Sequence, residues 1–234
     1  MRALRRRLDR ADHTARRGEL DTYTHTLAAA LGAATGAPEA AVAEALASFR
    51  PAHDASVTHS VPGEWAASET LLCLSYALVK LIRPARVVET GTASGHLASA
   101  ILAALSENGG DGHLHSFEMP PFGASDASYA GAVIPTVLRA RWTLHVGPSL
   151  LILPEALAGF SKIDLFIHDS DHSYWYQRDE YELALSFLRP GGVLVSDDVE
   201  NDAFLEVAER HRLPPRFVSQ LPKARPVGLL VRTS

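Results

Sequence analysis

The stretch Val87-Val88-Glu89-Thr90-Gly91-Thr92-Ala93-Ser94-Gly95-His96 passes from apolar to acidic to glycine-rich, then opens into the Ala/Leu-rich segment Leu97 to Leu105. An apolar run of strand length, a turn with two glycines four apart and an apolar helical segment spell a buried strand, a tight turn and a helix. Such a unit sets a helix N-terminus, with its unpaired N–H groups, at the carboxyl end of a strand, where nucleotide-like ligands bind. Glycine lets the turn bend sharply and approach a ligand with no side chain between. The spacing departs from the dinucleotide fingerprint G-x-G-x-x-G, because Thr92 and Ala93 follow Gly91 and the next glycine is Gly95.

A chain of 234 residues fits one domain with a small extension and can bury a sizeable core. Its net charge of −5 lacks the basic face that a general nucleic-acid binder needs. The single cysteine, Cys73, lies in an apolar helical segment, so no disulfide framework forms within the chain and the thiol reads as buried and inert. No run of 18 apolar residues is present, which argues against a membrane span. Met1 to Leu8 is basic without the apolar core of a secretory signal and reads as an amphipathic helix; a cytoplasmic location is expected.

Residues 1 to about 50 read as all-helical, with one helix over Leu20 to Leu31 and another opened by Pro38-Glu39 and ended by Arg50-Pro51. Pro51 to Gly63, with His53 and His59, reads as a loop, either a plain connection or a lid. Glu64 to Ile82 is a strongly apolar helix stopped by Arg83-Pro84. From Ala85 onward strand and helix alternate. Strands are expected at Arg86–Glu89, His113–Glu118, Trp142–Val146, Ile163–His168 and Val193–Ser196, with Arg216–Val218 and Gly228–Arg232 as a closing antiparallel pair. Helices are expected at His96–Leu105, Tyr129–Ala140, Leu151–Ala158, Trp175–Leu188 and Asn201–His211, Pro190-Gly191-Gly192 forming a helix-to-strand turn. The expected fold is therefore α/β: a Rossmann-like, doubly wound, mostly parallel sheet of seven strands (63–234) behind an N-terminal helical cap (1–62).

Right-handed crossovers gather the carboxyl ends of the parallel strands on one edge. There the pattern E-x-G-x-x-x-G of Glu89, Gly91 and Gly95 resembles the first motif of class I S-adenosylmethionine-dependent methyltransferases. Glu118 closes the second strand 29 positions after Glu89, where a carboxylate accepts hydrogen bonds from both ribose hydroxyls; the alternative is a solvated acid at a strand end. The family usually carries an acid after the third strand to meet the adenine edge. This chain has Gly147-Pro148-Ser149 there, so Ser149 takes that place by hydroxyl or amide. Thr92 and Asp169 complete the expected cofactor-binding set.

The richest constellation follows the fourth and fifth strands: Asp169-Ser170-Asp171-His172-Ser173-Tyr174 after Ile163–His168, and Asp197-Asp198 after Val193–Ser196. If the strands are neighbours, their ends lie ~5 Å apart and Asp169, Asp197 and Asp198 converge. Carboxylates that close raise one another's pKa unless a cation lies between them. All-oxygen ligands favour a hard ion, Mg2+ first and Ca2+ or Mn2+ next. The alternative is that Asp171 and Asp198 cap the helices that follow. His168, by strand alternation, should point away from the face Asp169 uses.

D-L-F-I-H-D-S-D-H-S-Y, a helix, then L-R-P-G-G-V-L-V-S-D-D resembles the small bacterial class I methyltransferases with a D-x-D-H-x-Y signature, over about Glu64 to Val199. It is more distantly similar to the metal-dependent catechol and caffeoyl-coenzyme A O-methyltransferases, in which an aspartate after the fourth strand and an Asp-Asn or Asp-Asp pair after the fifth hold a divalent ion. Asp169, Asp197 and Asp198 match those positions. The lysine those enzymes carry three residues after the first aspartate is His172 here, which makes His172 the candidate general base; a helix-start residue bonded to its own loop is the alternative. Tyr174, Trp175 and Tyr176 follow, either as walls for an aromatic acceptor or, as aromatics at a helix start more often do, as packing.

The resemblance implies methyl transfer from S-adenosylmethionine to a hydroxyl of a small molecule, an aromatic one among the candidates, with divalent-metal assistance, in bacterial specialised metabolism. The rivals are a metal-independent N- or C-methyltransferase, a nicotinamide oxidoreductase, which the glycine spacing disfavours, and a non-enzymatic binding protein. Apolar stripes on the N-terminal helices are compatible with a homodimer.

Overall fold

The computed structural model describes residues 16–56, 67–120, 127–220, 223 and 225–233. Among these residues, eight strands form one sheet: β1 (Thr24–His25), β2 (Arg86–Thr90), β3 (His113–Glu118), β4 (Trp142–Val146), β5 (Ile163–His168), β6 (Leu188–Ser196), β7 (Arg216–Val218) and β8 (Val227–Val231). Their order is β1-β7-β8-β6-β5-β2-β3-β4. All pairings are parallel except those of β8, which runs antiparallel to both β6 and β7. The chain winds outward from β2 in both directions, first to β3 and β4 and then back to β5 and β6. This leaves the ends of β2 and β5 side by side at the switch point.

Among the described residues, seven α-helices accompany the sheet: α1 (Leu27–Thr35), α2 (Glu39–Ser56), α3 (Glu69–Ile82), α4 (His96–Asn108), α5 (Ser149–Phe160), α6 (Tyr174–Phe187) and α7 (Ala203–His211). Side-chain alternation along the central strands divides the interior into two cores. Val87, Leu165, Ile167, Val193 and Val195 pack with α1 to α4 on one face. Val88, Phe166 and Leu194 pack with α5 to α7 on the other. Each buried Val, Leu or Phe adds about 1.5–3 kcal/mol relative to exposure, so the near-continuous apolar strands fit a sheet covered on both sides. Among the described residues, no helix is long and apolar enough to cross a membrane.

Several local expectations are corrected. The eighth strand, beyond the seven expected, is β1, which the single helix proposed over Leu20–Leu31 had hidden. That segment is a 3-10 turn (Arg17–Tyr23), β1 and then α1. Threonine side chains compete for the backbone there: Thr24 Oγ1 donates to Leu20 O at 3.0 Å, and Thr26 Oγ1 accepts from Ala29 N at 3.2 Å as the N-cap of α1. Helix α2 does not stop at Arg50-Pro51 but runs to Ser56, with the one amide proton that Pro51 lacks missing from its ladder. The first part of the expected loop is thus helical and holds His53; residues 57–63, with His59, lie outside the described residues, as does the expected helix of Met1 to Leu8. Helix α3 begins at Glu69, where Ser68 Oγ accepts from Leu71 N at 3.1 Å.

The helix expected over Tyr129–Ala140 is a series of turns followed by a 3-10 helix, Thr136–Arg141. Gly131 sits at φ 69° and Pro135 offers no N–H, so an α-helical ladder cannot cross this stretch. Pro190-Gly191-Gly192 lies within β6, not in a turn before it: Gly191 N donates to Arg232 O at 2.7 Å and Arg232 N to Gly192 O at 2.9 Å.

Candidate active site

The glycine turn is held from three sides. Gly91 N donates to Phe117 O at 2.8 Å, and Asp169 N donates to Thr90 O at 2.9 Å, which ties the ends of β2, β3 and β5 together. Gly91 has φ 83°, and a Cβ there would lie 2.0 Å from Asp169 O. At Gly95, with φ 96°, a Cβ would lie 2.7 Å from Gly131 Cα. Both glycines are required by close backbone packing as well as by conformation.

Glu89 is fully buried at the end of β2. One of its carboxylate oxygens accepts from Ser116 Oγ at 2.6 Å and from Thr92 Oγ1 at 3.3 Å. The other, Oε1, is buried with no partner in the protein, so an acceptor stands ready beside the turn. Burial pushes the carboxyl up to about 7, against the pull of Ser116 and Thr92.

Glu118, the candidate ribose acid, grips the turn itself. Its Oε2 accepts from Ala93 N at 2.7 Å and its Oε1 from Tyr129 OH at 2.8 Å. Ala93 is held at φ 45°, a left-handed conformation that this hydrogen bond helps to fix. Each oxygen keeps a lone pair for further donors. Burial and then Glu118 push the Tyr129 phenol well up, so it is the donor of the pair.

Ser149 opens α5, but its hydroxyl already has partners: it donates to Glu180 Oε1 and lies 2.6 Å from Tyr176 OH. Glu180, fully buried on α6, also receives Thr90 Oγ1 at 2.8 Å, His168 Nδ1 at 2.6 Å and Ser170 Oγ at 3.2 Å. The register pairs Thr90 with His168 and His168 with Ser196, so a polar row crosses the carboxyl ends of β2, β5 and β6 beneath the site. His168 thus turns inward to Glu180, and its ring lies edge-on to His172 with centroids 5.3 Å apart.

Above this row, one ligand atom each from Asp169, His172 and Asp197 lies within 4.8 Å of the other two. Burial, and then the nearby Asp197, push the Asp169 carboxyl well up. His172 Nε2 faces Asp169 Oδ1 at 3.8 Å, while Nδ1 meets Gln177 Nε2 at 3.4 Å. Asn201 Nδ2 donates to Gln177 Oε1 at 2.6 Å, which orients the Gln177 amide. Burial and neighbouring His168 pull His172 down to about 4, against Asp197 and Asp198.

Asp198, the third expected metal ligand, points elsewhere: Lys223 Nζ lies 3.2 Å from its Oδ1 and Arg225 Nη1 3.4 Å from its Oδ2. It does not cap the next helix, whose N-cap is Asp202. Of the three aromatic residues, Tyr174 is buried with its hydroxyl donating to Glu206 at 2.5 Å, Tyr176 is bonded to Ser149, and only Trp175 is exposed.

Sequence reasoning missed Tyr129, Glu180, Lys223 and Gln220, whose Nε2 donates to Asp197 Oδ1 at 2.8 Å. Glu180 left a trace, as an acid on the helical stripe Gln177–Tyr181–Ala184 that α6 buries. Lys223 left none, because 25 residues separate it from Asp198.

A family model described as a methyltransferase domain matches residues 88–199. No curated protein matches the chain. Among solved structures, the chain is similar to the O-methyltransferase TomG from Streptomyces achromogenes, involved in tomaymycin synthesis and solved with S-adenosylmethionine. The identity is 22%, over 82% of this chain and 90% of that one, with a TM-score of 0.56. It is similar to an O-methyltransferase from Bacillus cereus solved with S-adenosylhomocysteine (15% identity, 91% and 100% covered, TM-score 0.55). A methyltransferase from Podospora anserina, also bound to S-adenosylhomocysteine, is a third (16% identity, 83% and 88% covered, TM-score 0.54). Residues 88–199 thus match a methyltransferase-domain model, and the chain shares the fold of these S-adenosylmethionine- and S-adenosylhomocysteine-bound methyltransferases.

Proposed function

We propose that this enzyme moves a methyl group from S-adenosylmethionine to a hydroxyl of a small aromatic molecule, assisted by a divalent ion. One observation carries the reading. The glycine turn and the acid cluster share one sheet edge, joined through the Asp169 N to Thr90 O hydrogen bond of 2.9 Å, so a donor on the turn faces an acceptor at the cluster. The O-methyltransferase neighbours support the hydroxyl as acceptor, and the tomaymycin enzyme supports a place in specialised metabolism.

Glu89, Gly91, Thr92 and Gly95 receive the methionine end of the donor, with Glu89 Oε1 offering its free oxygen to an ammonium. Glu118 takes the ribose hydroxyls while fixing Ala93. Ser149 shapes the adenine end by position, its hydroxyl being held by Glu180 and Tyr176. The reaction is an in-line displacement: an acceptor oxygen lone pair attacks the methyl carbon as the carbon–sulfur bond breaks. Catalysis here is largely a matter of positioning.

Asp169 and Asp197, with His172 beside them, suit a hard cation such as Mg2+, Mn2+ or Ca2+. Bound there, such an ion would lower the pKa of the acceptor hydroxyl. His172 is neutral near pH 7 and takes the hydroxyl proton. Asn201 holds Gln177 Oε1, so the Gln177 NH2 faces Nδ1 and favours the ring hydrogen on Nε2. For Nε2 to accept the proton, Gln177 must release Asn201, turn its oxygen to Nδ1 and so shift the ring hydrogen there.

Two measurements test this. Calorimetry with S-adenosylhomocysteine should show one site. Methylation of a panel of catechols and phenols should be lost with EDTA and restored by Mg2+. EDTA-insensitive turnover would move the reading to the metal-independent class.

A further inference from the structure

Both oxygens of Asp197 already have partners supplied by the chain segment before β8: Gln220 Nε2 donates to Oδ1 at 2.8 Å and Lys223 Nζ to Oδ2 at 3.1 Å. The same ammonium lies 3.2 Å from Asp198 Oδ1, and so bridges the two carboxylates. Arg225 adds a contact to Asp198 Oδ2 at 3.4 Å and is itself paired with Glu200 at 2.8 Å. Asp197 is buried and Asp198 nearly so, whereas the Lys223 side chain is one-third exposed. The acid pair is thus neutralised by a flexible side chain that can reach water, in the place where a divalent ion would draw on the same oxygens.

We infer that Lys223 is an internal competitor for the metal site: its ammonium and a divalent ion are alternative occupants of the Asp197–Asp198 oxygens. This inference rests on the metal-assisted reading above. Release of Lys223 would free one oxygen of Asp197 and one of Asp198, so that Asp198 joins Asp169 and Asp197 as the sequence pattern suggests. A positive charge about 3 Å from the oxygens an ion must use opposes that ion directly, and metal affinity is set by how readily the lysine leaves. An ion with strong carboxylate preference displaces it; at low ion concentration the lysine keeps the acid pair closed.

The test is Mn2+ binding to the free enzyme, read by calorimetry and by the loss of free-ion electron paramagnetic resonance signal, for wild type, Lys223→Met and Lys223→Arg. Removing the ammonium should tighten Mn2+ binding by at least ~10-fold, while the arginine variant, which keeps the charge, should stay within ~3-fold of wild type. A second readout needs no variant. Acylation of the Lys223 amine by a soluble reagent, followed by mass spectrometry, should accelerate when Mn2+ saturates the protein. Equal Mn2+ affinity in wild type and Lys223→Met, or unchanged amine reactivity, overturns the competition alone. No Mn2+ binding in any of the three overturns the metal-assisted reading and this inference with it.

Discussion

His168 Nδ1 lies 2.6 Å from Glu180 Oε2, and neither side chain is exposed to solvent. Glu180 also collects hydroxyls from Thr90, Ser149 and Ser170, so one carboxylate closes the polar floor under the glycine turn and the acid cluster. Replacing Glu180 with Ala strands those donors in the interior. We expect a loss of about 3–5 kcal/mol in urea denaturation. A loss under about 1 kcal/mol would show that the floor does not depend on this acid.

Gly91→Ala puts a methyl 2.0 Å from Asp169 O at a φ of 83°. Strain and collision together should cost at least about 3 kcal/mol of stability. S-adenosylhomocysteine binding should fall below calorimetric detection at 100 μM, on the order of that protein concentration's useful limit. Retained affinity would remove the turn from the donor site.

Glu118→Ala removes the acceptors of Ala93 N and Tyr129 OH together with the proposed ribose contact. Affinity for S-adenosylhomocysteine should weaken by about 10- to 100-fold. Tyr129→Phe, which spares Glu118, should weaken it by less than ~5-fold.

His172→Gln should lower kcat by about 100-fold and leave the S-adenosylhomocysteine Kd unchanged, as expected for a residue that handles the acceptor proton. A fall in donor affinity with kcat preserved would assign His172 to cofactor binding.

On the β3–β4 face, His115 is pulled from 6.5 down to about 4 by burial, then by His113, His145 and Arg86. Its ring lies against Phe160 of α5, with Nδ1 3.3 Å from His145 Nε2. The unfolded chain binds this proton more readily than the native one, so the stabilisation is full above pH 6.5 and is lost as pH falls toward 4. Denaturation midpoints should drop between pH 7 and 4.5, and His115→Phe, which keeps the ring without titrating, should drop less. Identical slopes for the two proteins would exclude His115 as a source.

Much of this architecture was legible because its signals are local. The β2–α4 unit, the strand β5 and the aspartates after β5 and β6 were placed correctly, since apolar runs, glycine turns and strand-terminal acids act over about ten residues. The misreadings fall where local signals conflict. The Ala/Leu content of Leu20–Leu31 reads as helix until the threonine side chains claim the backbone, and the apparent helix after Tyr129 is broken by Gly131 and Pro135.

The site divides in the same way. Glu89, Glu118 and Asp169 are announced by their position at strand ends, and period and chain direction suffice to put them on one edge. Which partners meet them was a different matter. Glu180 reaches His168 because α6 packs across β5, and Lys223 reaches Asp197 because β8 returns antiparallel beside β6. Those meetings depend on strand order and on which buried oxygens lack a counter-charge. Both are properties of the packed chain, where burial makes an unpaired carboxylate costly enough to recruit a cation from far along the sequence.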